Sequence, residues 1–110
     1  MIDLASKPSW ARDLWHRYRF QPNEVSIETL ALCNARCTFC PYGSMGREGT
    51  RMSDETMSRL LDEMSSWDVP FNLSPFKVNE PLLDKRLLPW LRQVNAYVPM
   101  ASLRIFTNGT

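Results

Sequence analysis

Apolar positions recur along this chain at two spacings, and their order sets out the elements. Across residues 8–19, Trp10, Leu14 and Tyr18 return every fourth position, with Arg12, Arg17 and Arg19 largely on other faces. That predicts an amphipathic helix started by Pro8 and Ser9, its stripe serving packing. Gln21-Pro22-Asn23 ends it. Val25-Ser26-Ile27-Glu28-Thr29-Leu30 then alternates with period two in strand-forming residues, the first strand. Residues 43–50 carry three glycines and are expected to form a long loop without regular structure. Ser53 is a good N-cap, with Asp54 and Glu55 placed to favour the positive end of a helix. Met57, Leu60, Leu61 and Met64 supply that helix's buried stripe, and it should end near Trp67.

Phe71-Asn72-Leu73-Ser74-Pro75-Phe76-Lys77-Val78 reads as a second strand with a bulge or irregular stretch at Pro75, which has no N–H for a ladder. Leu87, Leu88, Leu91 and Val94 mark another helix, starting near Leu88 so that Pro89 falls in its first turn. Ser102-Leu103-Arg104-Ile105-Phe106 is a third strand, followed by the loop Thr107-Asn108-Gly109-Thr110. A helix followed by βαβαβ predicts an α/β fold with a parallel sheet and right-handed crossovers. Sites in such sheets lie beyond the C-terminal strand ends. Three groups of chemistry-bearing residues fall there independently: the cysteines after the first strand, Asn79-Glu80 after the second, and Asn108-Gly109 after the third.

Composition narrows the classes. A chain of 110 residues supports one small domain with a real core, and a net charge of +1 gives no electrostatic case for nucleic acid or an anionic membrane. No apolar run is long enough for a membrane span. The N-terminus has an acid at Asp3 and no apolar core region, so it does not read as a signal peptide, and the expected compartment is the cytoplasm. All three cysteines fall between Cys33 and Cys40, an odd and clustered set that argues against a disulfide framework.

Thiolates are soft ligands suited to zinc, copper(I) and iron–sulfur clusters. A structural zinc wants four protein ligands, and the only histidine, His16, sits on the first helix. A cubane cluster can be held by three thiolates with its fourth iron open to a ligand. Two classes follow: an enzyme using an open cluster, or a small non-catalytic module using zinc or a cluster structurally.

Cys33-Asn34-Ala35-Arg36-Cys37-Thr38-Phe39-Cys40 resembles the CxxxCxxC motif of the radical SAM superfamily, in which an aromatic often precedes the last cysteine. The resemblance runs over roughly residues 25–110, through Arg47-Glu48-Gly49 to Met52-Ser53, Asn79-Glu80-Pro81-Leu82-Leu83-Asp84 and Thr107-Asn108-Gly109. Cys40-Pro41-Tyr42 and the stretch from Arg47 to Ser53 look most like SPASM-type peptide and protein maturases. The family's second motif is usually Gly-Gly-Glu-Pro; here it is Val78-Asn79-Glu80-Pro81, without the glycines that permit close backbone approach.

The resemblance implies that Cys33, Cys37 and Cys40 ligate three irons of a [4Fe-4S] cluster and that S-adenosylmethionine chelates the fourth. Reductive cleavage would release a 5′-deoxyadenosyl radical that takes hydrogen from a substrate, a peptide or a small molecule. Phe39 would lie near the adenine, Asn79 and Glu80 would meet the methionine amino group, and Asn108 would border the cofactor. A one-electron donor such as flavodoxin or ferredoxin is implied as partner, and neither nucleic acid nor membrane. Residues 1–22 would be a helical extension, and residues 23–110 the first half of a core domain built as a partial TIM-like barrel. The chain would then be the N-terminal piece of a longer protein, with an unpaired edge at Ser102–Phe106.

Overall fold

Two rows of side chains cross the sheet in register, one apolar and one polar. Val25, Leu73 and Leu103 form the first row, and Glu24, Asn72 and Ser102 the second. They belong to three short parallel strands, β1 (Glu24–Ser26), β2 (Phe71–Ser74) and β3 (Ala101–Leu103), hydrogen-bonded in the order β1-β2-β3. This computed structural model describes residues 2–109. Alternation along a strand sends one row to each face, and the apolar row joins the core beneath helices α2 (Asp54–Ser65) and α3 (Leu87–Tyr97). Each new strand adds on the same side of the last, as at the start of a β/α barrel. A doubly wound sheet would instead reverse around its first strand.

Local signals set α2 where the sequence placed it. The Ser53 hydroxyl accepts from the Thr56 N–H at 3.1 Å, and Asp54 and Glu55 occupy the first turn. Met57 and Met64 are buried against Leu87, Trp90, Leu91 and Val94 of α3, and the Trp90 indole N–H donates to the Met57 carbonyl at 2.9 Å. Pro89 sits in the first turn of α3, where its missing N–H costs no helical bond.

Strand ends differ from expectation. The first strand stops at Ser26 instead of Leu30, because the chain beyond it pairs elsewhere: Leu30 bridges Arg51 antiparallel. The second stops at Ser74, before Pro75, and the third spans Ala101–Leu103 instead of Ser102–Phe106. The 43–50 loop is preceded and entered by a single 3-10 turn, Pro41–Ser44. The first helix, α1 (Ser9–Tyr18), corrects a further expectation: it buries none of its residues, and Trp10 of the supposed packing stripe is 65% exposed. Polar side chains at its C-terminal end attach it instead. Tyr18 donates to the Pro70 carbonyl at 2.9 Å, and the Gln21 amide exchanges two hydrogen bonds with the Val69 backbone.

Arg86 ties the scaffold together and uses every donor it has. Nε and Nη2 clamp the Asp84 carboxylate at 3.0 and 2.8 Å. Nη1 reaches Asp54 at 2.6 Å and the Met52 carbonyl at 2.7 Å, and Nη2 also meets the Thr29 carbonyl at 3.1 Å. Burial alone would raise the Asp84 carboxyl, but the guanidinium outweighs it and holds the group below its ordinary value. Replacing Arg86 with Met would leave Asp84 buried and unpaired, and should cost about 3–5 kcal/mol of unfolding free energy. Arg86→Lys should recover little of that, because a lysine cannot fork. Urea midpoints for the two variants test this; a lysine variant as stable as the parent would refute it.

Candidate functional site

The cysteine segment is a loop with a closed neck. Met52 N–H donates to the Thr29 carbonyl at 2.9 Å, Ala31 N–H to Thr50 at 2.9 Å, and Gly49 N–H to Ala31 at 2.8 Å. Gly49 turns the chain at φ 79°, a left-handed conformation that side chains resist. The buried Tyr42 hydroxyl donates to the Ala31 carbonyl at 3.2 Å, anchoring the loop from inside. Glu28 accepts from the Val78 N–H at 3.3 Å and ion-pairs with Arg47, so the neck is also joined to the segment after β2.

Within the loop the three thiols are free, Cys33 and Cys40 half-buried and Cys37 exposed. All three line one cavity of about 440 Å³. So do Phe39, Asn79, Glu80 and Asn108, so residues that follow all three strands border the same space. The volume is in the range of small-molecule sites. Its remaining walls are mainly apolar, including Phe76 and Phe106, whose rings sit 5.5 Å apart. Phe39 is 89% exposed, a bare aromatic face at the cavity.

Glu80 fastens the walls to one another. Its N–H donates to the Leu32 carbonyl at 2.7 Å, holding the base of the cysteine loop. Its carboxylate accepts from the Thr107 hydroxyl at 2.6 Å, the Asn108 N–H at 2.8 Å and the Leu82 N–H at 3.3 Å. Glu80 is only 3% exposed. Burial pushes its carboxyl up, the three donors push harder the other way, and the group lies below its ordinary value. The Asn108 amide completes the ring by donating to Asn34 Oδ1 at 2.8 Å, across to the cysteine loop. Thr107 and Asn34 stood in the quoted motifs without a role of their own, and the Leu32 carbonyl was not singled out from sequence.

Asn79 is equally buried, and its Oδ1 accepts from the Lys77 N–H at 3.1 Å. Its Nδ2 has no hydrogen-bond partner, nor does the Ser74 hydroxyl at the end of β2.

The donor chemistry suits a cubane with an open corner: three soft thiolates on one cavity, with no histidine in its lining. Among the described residues, no three His, Cys, Asp or Glu side chains gather closely enough to hold one metal ion. Zinc would need four ligands about 2.0–2.3 Å from a single point, and His16 is exposed on α1 and lines no part of the cavity. Three thiolates around a multi-metal cluster can stand wider apart. The Ala35 N–H points at Cys33 Sγ at 3.5 Å, a contact that stabilises a sulfur carrying negative charge. Among the described residues no helix is long and apolar enough to cross a membrane.

No family model matches the chain. Over 86 residues, 77% of its length, it is 31% identical to an S-adenosyl-L-methionine-dependent 2-deoxy-scyllo-inosamine dehydrogenase of Niallia circulans. It is also similar to two crystal structures of BtrN. One, in complex with AdoMet and 2-DOIA, has a TM-score of 0.70 at 30% identity over 79% of this chain and 36% of that one. The other, selenomethionine protein in an open conformation, gives 0.68 at 30% identity over 79% of this chain and 39% of that one. The chain therefore spans about a third of the length of the relatives it matches, 34% of the dehydrogenase. Neither relative is described as a peptide or protein maturase, so the SPASM-type likeness gains nothing from them.

The Glu80 hydrogen bonds have a pH signature. A carboxyl held below its ordinary value stabilises the fold above the unfolded pKa of about 4.3, and that contribution is lost as pH falls through the folded value. Glu80→Gln sets an amide N–H against one of the donors and should lose about 1–3 kcal/mol at pH 7. The gap between parent and variant, read from urea unfolding, should close below about pH 4. A gap that does not change with pH would show that the carboxylate charge is not what matters.

Proposed function

We propose that this chain is the cluster-binding part of a radical SAM enzyme, in which Cys33, Cys37 and Cys40 hold a [4Fe-4S] cluster and the adjoining cavity takes S-adenosylmethionine. The observation that carries the reading is that all three thiols open onto one cavity together with the loops after β2 and β3. The likeness to S-adenosylmethionine-dependent relatives at 30–31% identity supports it. When bound, the cluster supplies an electron, and S-adenosylmethionine supplies the 5′-deoxyadenosyl radical that takes hydrogen from a substrate.

The chain's own residues divide the remaining work. The three thiolates, which all line the cavity, would hold the cluster. Phe39 offers an apolar face to a flat ring, and Phe76 and Phe106 add a pair of rings 5.5 Å apart to the cavity wall. Glu80 keeps the three loops at fixed separation, and its carboxylate, ionised at neutral pH, adds negative charge at the cavity wall. Asn79 and Asn108 complete the polar part of that wall. Residues 1–22 form an extension, and residues 23–110 the opening strands of a partial barrel. The relatives point to a small hydroxylated substrate undergoing dehydrogenation rather than to a peptide. A one-electron donor protein such as flavodoxin or ferredoxin would approach near the exposed Cys37.

Anaerobic reconstitution with iron and sulfide tests the reading. The chain should turn brown and bind about four irons. Adding S-adenosylmethionine should perturb the electron paramagnetic resonance signal of the reduced cluster, and 5′-deoxyadenosine should accumulate with a strong reductant. Cys37→Ala should lose the cluster. A colourless protein that takes up one zinc and no cluster would overturn the reading.

A further inference from the structure

The three thiols border a second, smaller cavity of about 120 Å³. Its remaining described lining is Ala35, Arg36, Tyr42 and Gly43, all from the cysteine loop and the turn that follows it. Among the described residues, Arg36 is the one cation in that lining. Its side chain is 78% exposed, yet its head stays against the loop, where a Cβ on Gly43 would stand 3.5 Å from Nη1. Its ion pair is loose: the Glu48 carboxylate is 3.9 Å away and half exposed, too wet and too far to cancel the charge. Arg47, by contrast, pairs with the nearly buried Glu28. Positive charge beside the thiols is thus left largely uncompensated on this side, while the larger cavity carries both the Glu80 carboxylate and Lys77.

We infer that Arg36 tunes the reduction potential of the cluster, its guanidinium stabilising the reduced form from the side of the smaller cavity. The inference rests on the function proposed above. Three thiolates outweigh the positive core of a cubane, so the loaded site is an anion, and taking up one electron from a reductant makes it more negative. Net charge, hydrogen bonds to sulfur and exposure set the potential of such a cluster. A cation held nearby favours the electron-rich form and raises the potential. The Ala35 N–H at Cys33 Sγ acts in the same direction, through the backbone. Glu48 opposes it, being the anion nearest the guanidinium. Water screens so exposed a charge, and the effect expected of Arg36 is about threefold to tenfold in the reduction equilibrium. For one electron that is about 30–60 mV.

Redox titration of the cluster-loaded chain, without S-adenosylmethionine and followed by the paramagnetic signal of the reduced cluster, tests this. Arg36→Gln should lower the midpoint potential by about 30–60 mV. Arg36→Lys, which keeps the charge, should retain most of the parent's value. Glu48→Gln, which removes the opposing anion, should raise it. Raising potassium chloride from about 0.05 M to about 0.5 M should shrink the gap between parent and Arg36→Gln by half or more, which a merely structural role would not do. An Arg36→Gln potential equal to the parent's, or a gap indifferent to salt, would overturn the inference and leave the function standing. If the glutamine variant does not take up a cluster, Glu48→Gln decides, and a potential unmoved or lowered there overturns the inference in the same way. A parent chain that takes up no cluster would overturn the proposed function as well.

Discussion

A single buried carboxylate holds the site in register. Glu80 reaches one loop through its backbone and another through its side chain, and the geometry of the cavity depends on both. The N–H grips Leu32 at the base of the cysteine loop, while the two carboxylate oxygens take the Thr107 hydroxyl and the Asn108 N–H beyond β3. A desolvated anion tolerates such a place only when its lone pairs are filled. The requirement works in both directions: the loops supply the donors that let the charge remain, and the charge keeps the loops from drifting apart.

The scaffold is fastened separately. Arg86 fixes the start of α2, the stretch after β1 and the turn at Asp84 with donors that never reach the cavity. The antiparallel neck at Leu30 and Arg51 lies between the two systems. Strain introduced at the cavity therefore meets hydrogen-bonded joints before it reaches the packed core around Leu73, Leu87 and Val94.

Much of this was legible from sequence where the cause is local. Ser53 caps α2 because a cap depends only on residues within a turn. The seven candidate residues converge because a parallel sheet sends every strand's C-terminal loop to one edge. What escaped notice was non-local. The first strand ended early because Leu30 found Arg51 across the loop, a pairing that no period in the chain encodes. The role of Glu80 depends on Thr107, 27 positions away. The stripe on α1 was read correctly as apolar and wrongly as packed, since periodicity marks a face and does not say what covers it.

The two rows that cross the sheet have a consequence for solvent. Hydrophobic burial acts on one side only, where Val25, Leu73 and Leu103 meet the helices, while Glu24, Asn72 and Ser102 look the other way. The helix-facing side of the sheet gives up its water on folding, while Glu24 and Ser102 stay exposed on the other side and need no protein partner.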